Sequence, residues 1–295
     1  MGNKRKKQPQ EFVLSKDALA RINLGQTFAE NDKILLLPDV FVKTPASQAA
    51  MEPARSKCFY VGRRGTGKTA LSTYLTNQRK NVIQIHPEIF SSLDEVLKNE
   101  RLNDPRQKPF QALIASFVRS ILNEVVNGWL QQNLITIANF PAELRSERNY
   151  ITEFDFDTRI VDFITELFTA QQHDDESKWL RLKKKAKTVN GIINNLGQSD
   201  KWTVMILIDR LDDSWDGSDR AVMMLTALMH ACVEVWSISD FARPLIFLRE
   251  NIFERVRQKD KEFTRLETSV VSLDWTTELL TEVVERRLTH HLNRV

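Results

Sequence analysis

The chain lacks most of what would commit it early to one class. Of its 295 residues only two are cysteines, Cys58 and Cys232, far apart and each inside an apolar stretch. That excludes a disulfide scaffold and reads as two small core residues. Charge of either sign is not in excess, with 42 Lys and Arg against 39 Asp and Glu, a formal +3. So mild a bias is no nucleic-acid signature by itself, and much of it sits in Lys4-Arg5-Lys6-Lys7 and in Lys183-Lys184-Lys185 with Lys187. No apolar run approaching bilayer length is evident, and the charged start is not followed by a signal-type apolar segment. The expectation is a cytoplasmic protein without a membrane partner. Internal repeats and low-complexity tracts are also missing. What remains, at 42% hydrophobic residues, is an ordinary globular chain able to bury a core.

Glycine is scarce too, but three of the nine glycines, Gly62, Gly65 and Gly67, crowd into one stretch. Cys58-Phe59-Tyr60-Val61 reads as a short apolar strand, and a helix is expected from about Lys68 to Asn77. Between them Gly62, Gly67, Lys68 and Thr69 satisfy the phosphate-loop pattern G-x-x-x-x-G-K-[ST]. A triphosphate needs backbone N–H groups converging on its oxygens, and glycines let the backbone wrap closely without Cβ clashes. The helix opening at Lys68 would turn its positive dipole end to the same anion. The cradle is therefore Gly62, Arg63, Arg64, Gly65, Thr66, Gly67, Lys68, Thr69 and Ala70, with Lys68 bridging the β- and γ-phosphates and the Thr69 hydroxyl ligating Mg²⁺.

The remaining chain alternates strands and helices. Residues 1 to about 20 are polar, and an apolar segment from Leu24 to Pro45 is expected to pack on the start of the nucleotide domain. A second strand is expected at Asn81–His86, stopped by Pro87. Residues 88–200 carry no clear strand; helical spacing runs from Pro109 to Leu130, from Thr158 to Phe168 and from Ser177 to Leu196. Trp202–Asp209 is a nearly continuous apolar run, the pattern of a strand buried on both faces of a parallel sheet. Ser218 caps a helix running to Ser239, further strands fall at Pro244–Leu248 and Ser269–Asp274, and Thr276 or Thr277 starts a last helix. The division is an N-terminal segment 1–50, a nucleotide domain 51–275 with a large helical insertion at about 88–200, and a helix or lid 276–295. This is an α/β fold in three layers around a parallel five-stranded sheet, with ligands at the carboxyl ends of the strands. The phosphate loop, Asp209 and Arg249 all fall at such ends.

Asp209 fits the acid that holds Mg²⁺ or its water shell at the end of a buried strand. A hydrolase must also orient its attacking water. Arg210 occupies the position where many ATPases carry a glutamate, and the acids arrive later, in Asp209-Arg210-Leu211-Asp212-Asp213. Asp212 and Asp213 are either water-positioning groups or turn residues before Ser214-Trp215-Asp216-Gly217.

This acidic pattern resembles the Walker B segment of STAND, NACHT and KAP-type ATPases, in the ASCE branch of phosphate-loop NTPases related to AAA+ proteins. More narrowly, the chain is similar to bacterial phosphate-loop ATPases linked to DNA repair or antiphage defence. The likeness takes in Phe28-Ala29-Glu30, Leu36-Leu37, Phe41-Val42, Thr44-Pro45, Val61–Ala70, Leu207–Asp213, Ile246–Arg249 with Ile252-Phe253, and Leu273-Asp274-Trp275. It implies a sheet order 5-1-4-3-2, ATP and Mg²⁺ as ligands, Asp209 on the metal, and Asp212 or Asp213 positioning the hydrolytic water. Arg249 would read the γ-phosphate; its alternative is an ordinary salt bridge with Glu250 or Asp209. Those families continue into a winged helix and sensor repeats, whereas this sequence stops after one helix, as a compact ATPase or as a piece of a longer protein.

Three functions follow as expectations. The first is an ATP-hydrolysing switch, a homo-oligomer governing a separately encoded effector protein in antiphage defence. The second is a DNA-associated ATPase of repair or loading, with Arg181, Lys183, Lys184, Lys185 and Lys187 touching nucleic-acid phosphates. The third is a nucleotide-binding module without turnover, because Arg210 replaces the usual glutamate.

Overall fold

The computed structural model describes residues 31–37, 39–51, 57–98, 108–172, 176–197 and 200–292. The expectations placed on Leu24–Glu30, on Lys4–Lys7 and on the side chain of Lys183 lie outside the residues it describes. The chain divides into two units, Lys43–Trp275 and a smaller one formed by the residues before Lys43 and from Thr276 onward. Helix α1, Pro45–Met51, therefore belongs to the larger unit.

That unit is built on a parallel sheet of five strands: β1 Phe59–Gly62, β2 Val82–Ile85, β3 Val204–Ile208, β4 Ala242–Arg249 and β5 Val270–Ser272. Across the sheet the order is β2-β3-β4-β1-β5, which from the β5 edge reads 5-1-4-3-2. All four pairings are parallel, so every strand carries its carboxyl end to the same edge. Strand β3 is buried at all five positions, as its unbroken apolar run requires. At about 1.5–3 kcal/mol for each fully buried aliphatic side chain, this strand alone is a strong anchor for the acid that follows it.

Two helices mark the two faces. Helix α2, Lys68–Gln78, lies on one, where Gln84 of β2 donates to its Ser72 at 2.9 Å. On the other is α4, Lys108–Gln131, whose Gly128 sits against Val204 and Ile83. Period-2 alternation makes this consistent: Ile83 pairs with Ile206, on the Val204 face, while Gln84 pairs with Leu207, on the opposite one.

Between β2 and β3 no strand lies among the described residues, and the α-helices there are α3 Ile89–Leu97, α4, α5 Arg148–Thr152, α6 Phe156–Gln172 and α7 Glu176–Leu196. Two buried ion pairs tie this block together. Arg119 of α4 holds Glu147 through two hydrogen bonds of 2.8 and 2.6 Å while its guanidinium stacks 3.6 Å over Phe163, and Arg159 of α6 pairs with Glu124 of α4. Removing one partner from such a pair strands a charge, at roughly 3–5 kcal/mol.

Helix α8, Asp219–Ile238, opens as the sequence indicates, with the Ser218 hydroxyl accepting the N–H of Ala221 at 3.0 Å. It corrects one expectation. By length and composition this helix of 20 residues is long and apolar enough to cross a membrane, although it carries Asp219, Arg220, His230 and Glu234. Most of its surface is buried inside the protein, including Val222, Leu225, Met229, Cys232 and Val235, which makes it a core helix packed along α4. Cys58 and Cys232 are both free and buried, and burial pushes the Cys58 thiol up to about 12. Helices α9, Glu250–Lys259, and α10, Thr264–Glu267, complete the unit before β5.

In the smaller unit, Asp32 caps the short 3-10 turn Lys33–Leu36 and pairs with Arg287 at 2.9 Å. Its helix α11, Thr277–Leu292, also places Arg286 on the carbonyl of Phe41 and His290 on Asp39, both at 3.2 Å. The His290 bond holds the Asp39 carboxyl below the usual carboxylate range.

Candidate functional site

The site grows from the point where β1 stops. Gly62 ends the strand because nothing larger fits: a Cβ there would lie 2.3 Å from Thr66 Oγ1, 2.9 Å from Leu273 Cβ and 3.1 Å from the Leu273 carbonyl. The loop Arg63–Gly67 then turns back through Gly65 and Gly67 at φ of +84° and +86°, a region costing other L-residues about 1–2 kcal/mol. The Thr66 hydroxyl donates to the Arg63 carbonyl at 2.9 Å and closes the turn. From beyond the carboxyl end of the neighbouring strand β5, Trp275 Nε1 donates to the Thr66 carbonyl at 2.9 Å.

Helix α2 starts at Lys68 with Gly67 at its cap position, where no side chain satisfies the first N–H groups. Among the described residues, the backbone N–H groups of Gly65, Gly67, Lys68, Thr69 and Ala70 have no partner. Free donors at a helix start, with the dipole behind them, form an anion-binding concavity. Arg63 and Arg64 are exposed beside it, and Arg63 pairs with Glu250 at 2.9 Å. Thr69 and Ala70 sit half-buried in the first turn.

The Lys68 ammonium folds over the loop and donates to the carbonyls of Gly62 at 2.9 Å and Arg63 at 2.7 Å. Burial holds its pKa below the ordinary lysine value; Asp212 and Asp209 oppose that shift and Arg249 adds to it. Lys68 thus feels all three of these charges. The topology explains why: Gly62 pairs in register with Arg249 across β1 and β4, and the next strand, β3, delivers Asp209 to the same edge.

Asp209 follows β3, tied by its own N–H to the Ile85 carbonyl at 3.1 Å, and is only 3% exposed. One carboxylate oxygen, Oδ1, accepts the Arg210 N–H at 2.9 Å; the other, Oδ2, is buried without a hydrogen-bond partner. Burial raises its pKa, against the Arg210 N–H and the charges of His86 and Arg210. Arg210 adopts φ +62°, the left-handed conformation, and so bends the chain into a turn closed by Asp213 N–H to the Arg210 carbonyl at 3.0 Å. The two following acids separate. Asp212, half-buried, is ion-paired with Arg249, whereas Asp213 is exposed. Arg249 does form a salt bridge, but with Asp212 and not with Glu250 or Asp209: Glu250 pairs with Arg63, and Asp209 accepts a backbone N–H.

Two residues of this region, His86 and Trp275, lie outside the phosphate-loop and acidic motifs. His86, just past β2, has Nδ1 3.5 Å from the Asp209 carbonyl and contributes to its field. Its only signal is its place at the end of the strand that pairs with β3. Trp275 lies within the segment Leu273-Asp274-Trp275 that entered the resemblance, but 209 residues separate it from Thr66.

For a metal, no group of three His, Cys, Asp or Glu side chains is assembled among the described residues. A hydrated Mg²⁺ held mainly by phosphates needs only one or two protein oxygens. The orphaned Oδ2 of Asp209 and the hydroxyl of Thr69 suit that donor set.

No family model and no solved structure matches the chain. It is similar to the putative transposon gamma-delta 80.3 kDa protein of Escherichia coli (strain K12), at 27% identity over 273 residues, which take in 85% of this chain and 37% of that protein. The chain thus spans little more than a third of the length of that relative.

Proposed function

We propose that this protein binds ATP with Mg²⁺ and hydrolyses it, as a phosphate-loop NTPase of three-layer architecture. The observation carrying this reading is the convergence at one sheet edge of a loop with free backbone N–H groups, the Lys68 ammonium, an unpartnered Asp209 carboxylate oxygen and the Asp212–Arg249 pair. Phosphate oxygens would take the N–H groups of Gly65 to Ala70, and Lys68 would exchange its two carbonyl acceptors for the β- and γ-phosphates. Thr69 and Asp209 would hold Mg²⁺, which when bound neutralises charge on the β- and γ-oxygens. Arg249 would stabilise charge on the γ-phosphoryl group as it passes from ADP to water, and Asp212 would orient that attacking water. Phosphate release from ATP, measured with Mg²⁺ for the wild type and Lys68→Ala, tests the assignment. Turnover in the wild type and its loss in the variant support it, and the absence of turnover in the wild type, alone and with the products of neighbouring genes, sinks it.

What the hydrolysis serves rests on the resemblance: a homo-oligomeric switch acting on a separately encoded effector in antiphage defence. A second reading, a DNA-associated ATPase, draws on two observations. The relative is named as a transposon protein, and α7 exposes Arg181, Lys184 and Lys187. Stimulation of ATP turnover by DNA that falls steeply with salt would favour it.

A further inference from the structure

Trp275 reaches the loop by a rigid route. Strands β1 and β5 pair in register from Phe59–Val270 to Val61–Ser272, and the Leu273 N–H continues the ladder onto the Val61 carbonyl at 2.7 Å. Leu273 then packs against Gly62, and the indole of the half-buried Trp275 lies beside Gly67, its Cζ2 3.7 Å from where a Cβ would be. Its N–H fixes the Thr66 carbonyl at 2.9 Å. In a trans peptide the carbonyl and the following N–H point in opposite directions, and this chain has no cis peptide bond among the described residues. Pinning the Thr66 carbonyl therefore also sets the direction of the Gly67 N–H. Without the pin, that peptide would be freer to rotate through ψ of Thr66 and φ of Gly67, because Gly67 tolerates either sign of φ.

We propose that Trp275 is a positioning residue for the phosphate chain: its indole clamps the Thr66–Gly67 peptide so that the Gly67 N–H joins those of Lys68, Thr69 and Ala70 as a preset anion donor. The clamp rests on the proposed function, since it matters only if phosphate binds there. It deepens that reading by assigning phosphate affinity to a residue outside the loop and outside the acidic segment.

The test compares the wild type, Trp275→Phe, and a chain carrying benzothienylalanine at 275, which keeps the bicyclic shape and lacks only the N–H. Calorimetric Kd values for Mg–ATP are measured alongside the Gly67 amide resonance of the ligand-free proteins. Losing one preset hydrogen bond should weaken binding about three- to tenfold in both variants, with little change in kcat. The Gly67 amide should shift or broaden while Gly217, elsewhere in the unit, stays put. Equal affinity in the wild type and the benzothienylalanine chain overturns the clamp and leaves the proposed function intact. Weakening confined to Trp275→Phe, with benzothienylalanine restoring affinity, overturns it in favour of simple packing. A wild type that binds no Mg–ATP removes the proposed function and the clamp together.

Discussion

Replacing Gly62 by alanine tests the tightest packing of the site without presuming any ligand. The added Cβ would stand 2.3 Å from Thr66 Oγ1, 2.9 Å from Leu273 Cβ and 3.1 Å from the Leu273 carbonyl. The first contact can be relieved by rotating Thr66, at the loss of its 2.9 Å bond to the Arg63 carbonyl, about 0.5–1.5 kcal/mol. The other two cannot rotate away. One is a backbone oxygen and the other a Cβ fixed to a backbone that is bonded to Val61, so the β5 end must shift by a few tenths of an ångström, as in overpacked cores, for about 1–3 kcal/mol. The sum is roughly 2–4 kcal/mol, which at about 2–4 °C per kcal/mol in a unit of this size lowers the unfolding midpoint by roughly 5–15 °C. Calorimetric or fluorescence melting reads it directly. A double-mutant cycle with Thr66→Ala sharpens the attribution: the threonine truncation removes the closest atom in advance, so the double variant should be more stable than the sum of the singles by about 1 kcal/mol. A Gly62→Ala protein melting like the wild type would refute the close approach of Leu273 to the loop, and with it the route that carries Trp275 there.

Three further outcomes follow from the charges. Asp209→Asn keeps the acceptor for the Arg210 N–H while removing a buried charge whose Oδ2 has no partner, so the ligand-free protein should gain on the order of 1 kcal/mol; stabilisation by Mg–ATP in a thermal shift assay should disappear. Asp212→Asn should slow ATP turnover by about a hundredfold or more, whereas Asp213→Asn, altering an exposed carboxylate, should change it less than about threefold; the reverse ranking would transfer the water-positioning role to Asp213. Asp157 accepts the Glu88 N–H at 2.7 Å, but burial, aided by Asp155 and Glu88, pushes its pKa up to about 6 from 3.8, against that bond. A raised acid pKa means that the folded state takes up its proton first, so this group destabilises the fold above pH 6 and the penalty fades as pH falls from about 6 to 4. Asp157→Asn, which keeps the acceptor but not the charge, should therefore raise the unfolding midpoint at pH 7.5 more than at pH 4.5.

How much of this could be read in advance depended on how local each determinant is. The glycine loop was legible because strand end, turn glycines, lysine and helix start lie within a dozen consecutive residues. Strand β3 was legible because burial on both faces leaves an unbroken apolar run, and Ser218 because a cap acts on an N–H three residues away. The apolar surface of α8 was underestimated because isolated charges at Arg220 and Glu234 break the run of letters but not the buried helix. The separation of Asp212, ion-paired, from Asp213, exposed, was not legible, since it follows a turn that Arg210 enters in the left-handed region, which no arginine propensity foretells. Trp275 and Arg249 needed the register of β1 with its two neighbours, a property of the folded sheet.

Those same contacts bear on what binding would require. Three cations of the site are held by acceptors in the protein itself: Lys68 by the Gly62 and Arg63 carbonyls, Arg249 by Asp212, and Arg63 by Glu250. Under the proposed function, a triphosphate would exchange these partners rather than fill empty ones, so the affinity gained is a difference between two sets of bonds. The exchange is also ordered by chemistry. Carbonyls release Lys68 at the loss of neutral acceptors, but Arg249 leaves Asp212 only for a competing anion, which a γ-phosphate supplies and a diphosphate lacks. Freeing Asp212 is what would let it turn to a water. The pair would then couple the presence of a γ-phosphate to the readiness of the group that attacks it. Arg249→Ala should consequently lessen the preference for ATP over ADP, and Asp212→Asn, by leaving Arg249 unpaired and available, should tighten ATP binding even as it slows turnover. If both variants kept the wild-type ratio of ATP to ADP affinity, the pair would be a structural bridge and nothing more.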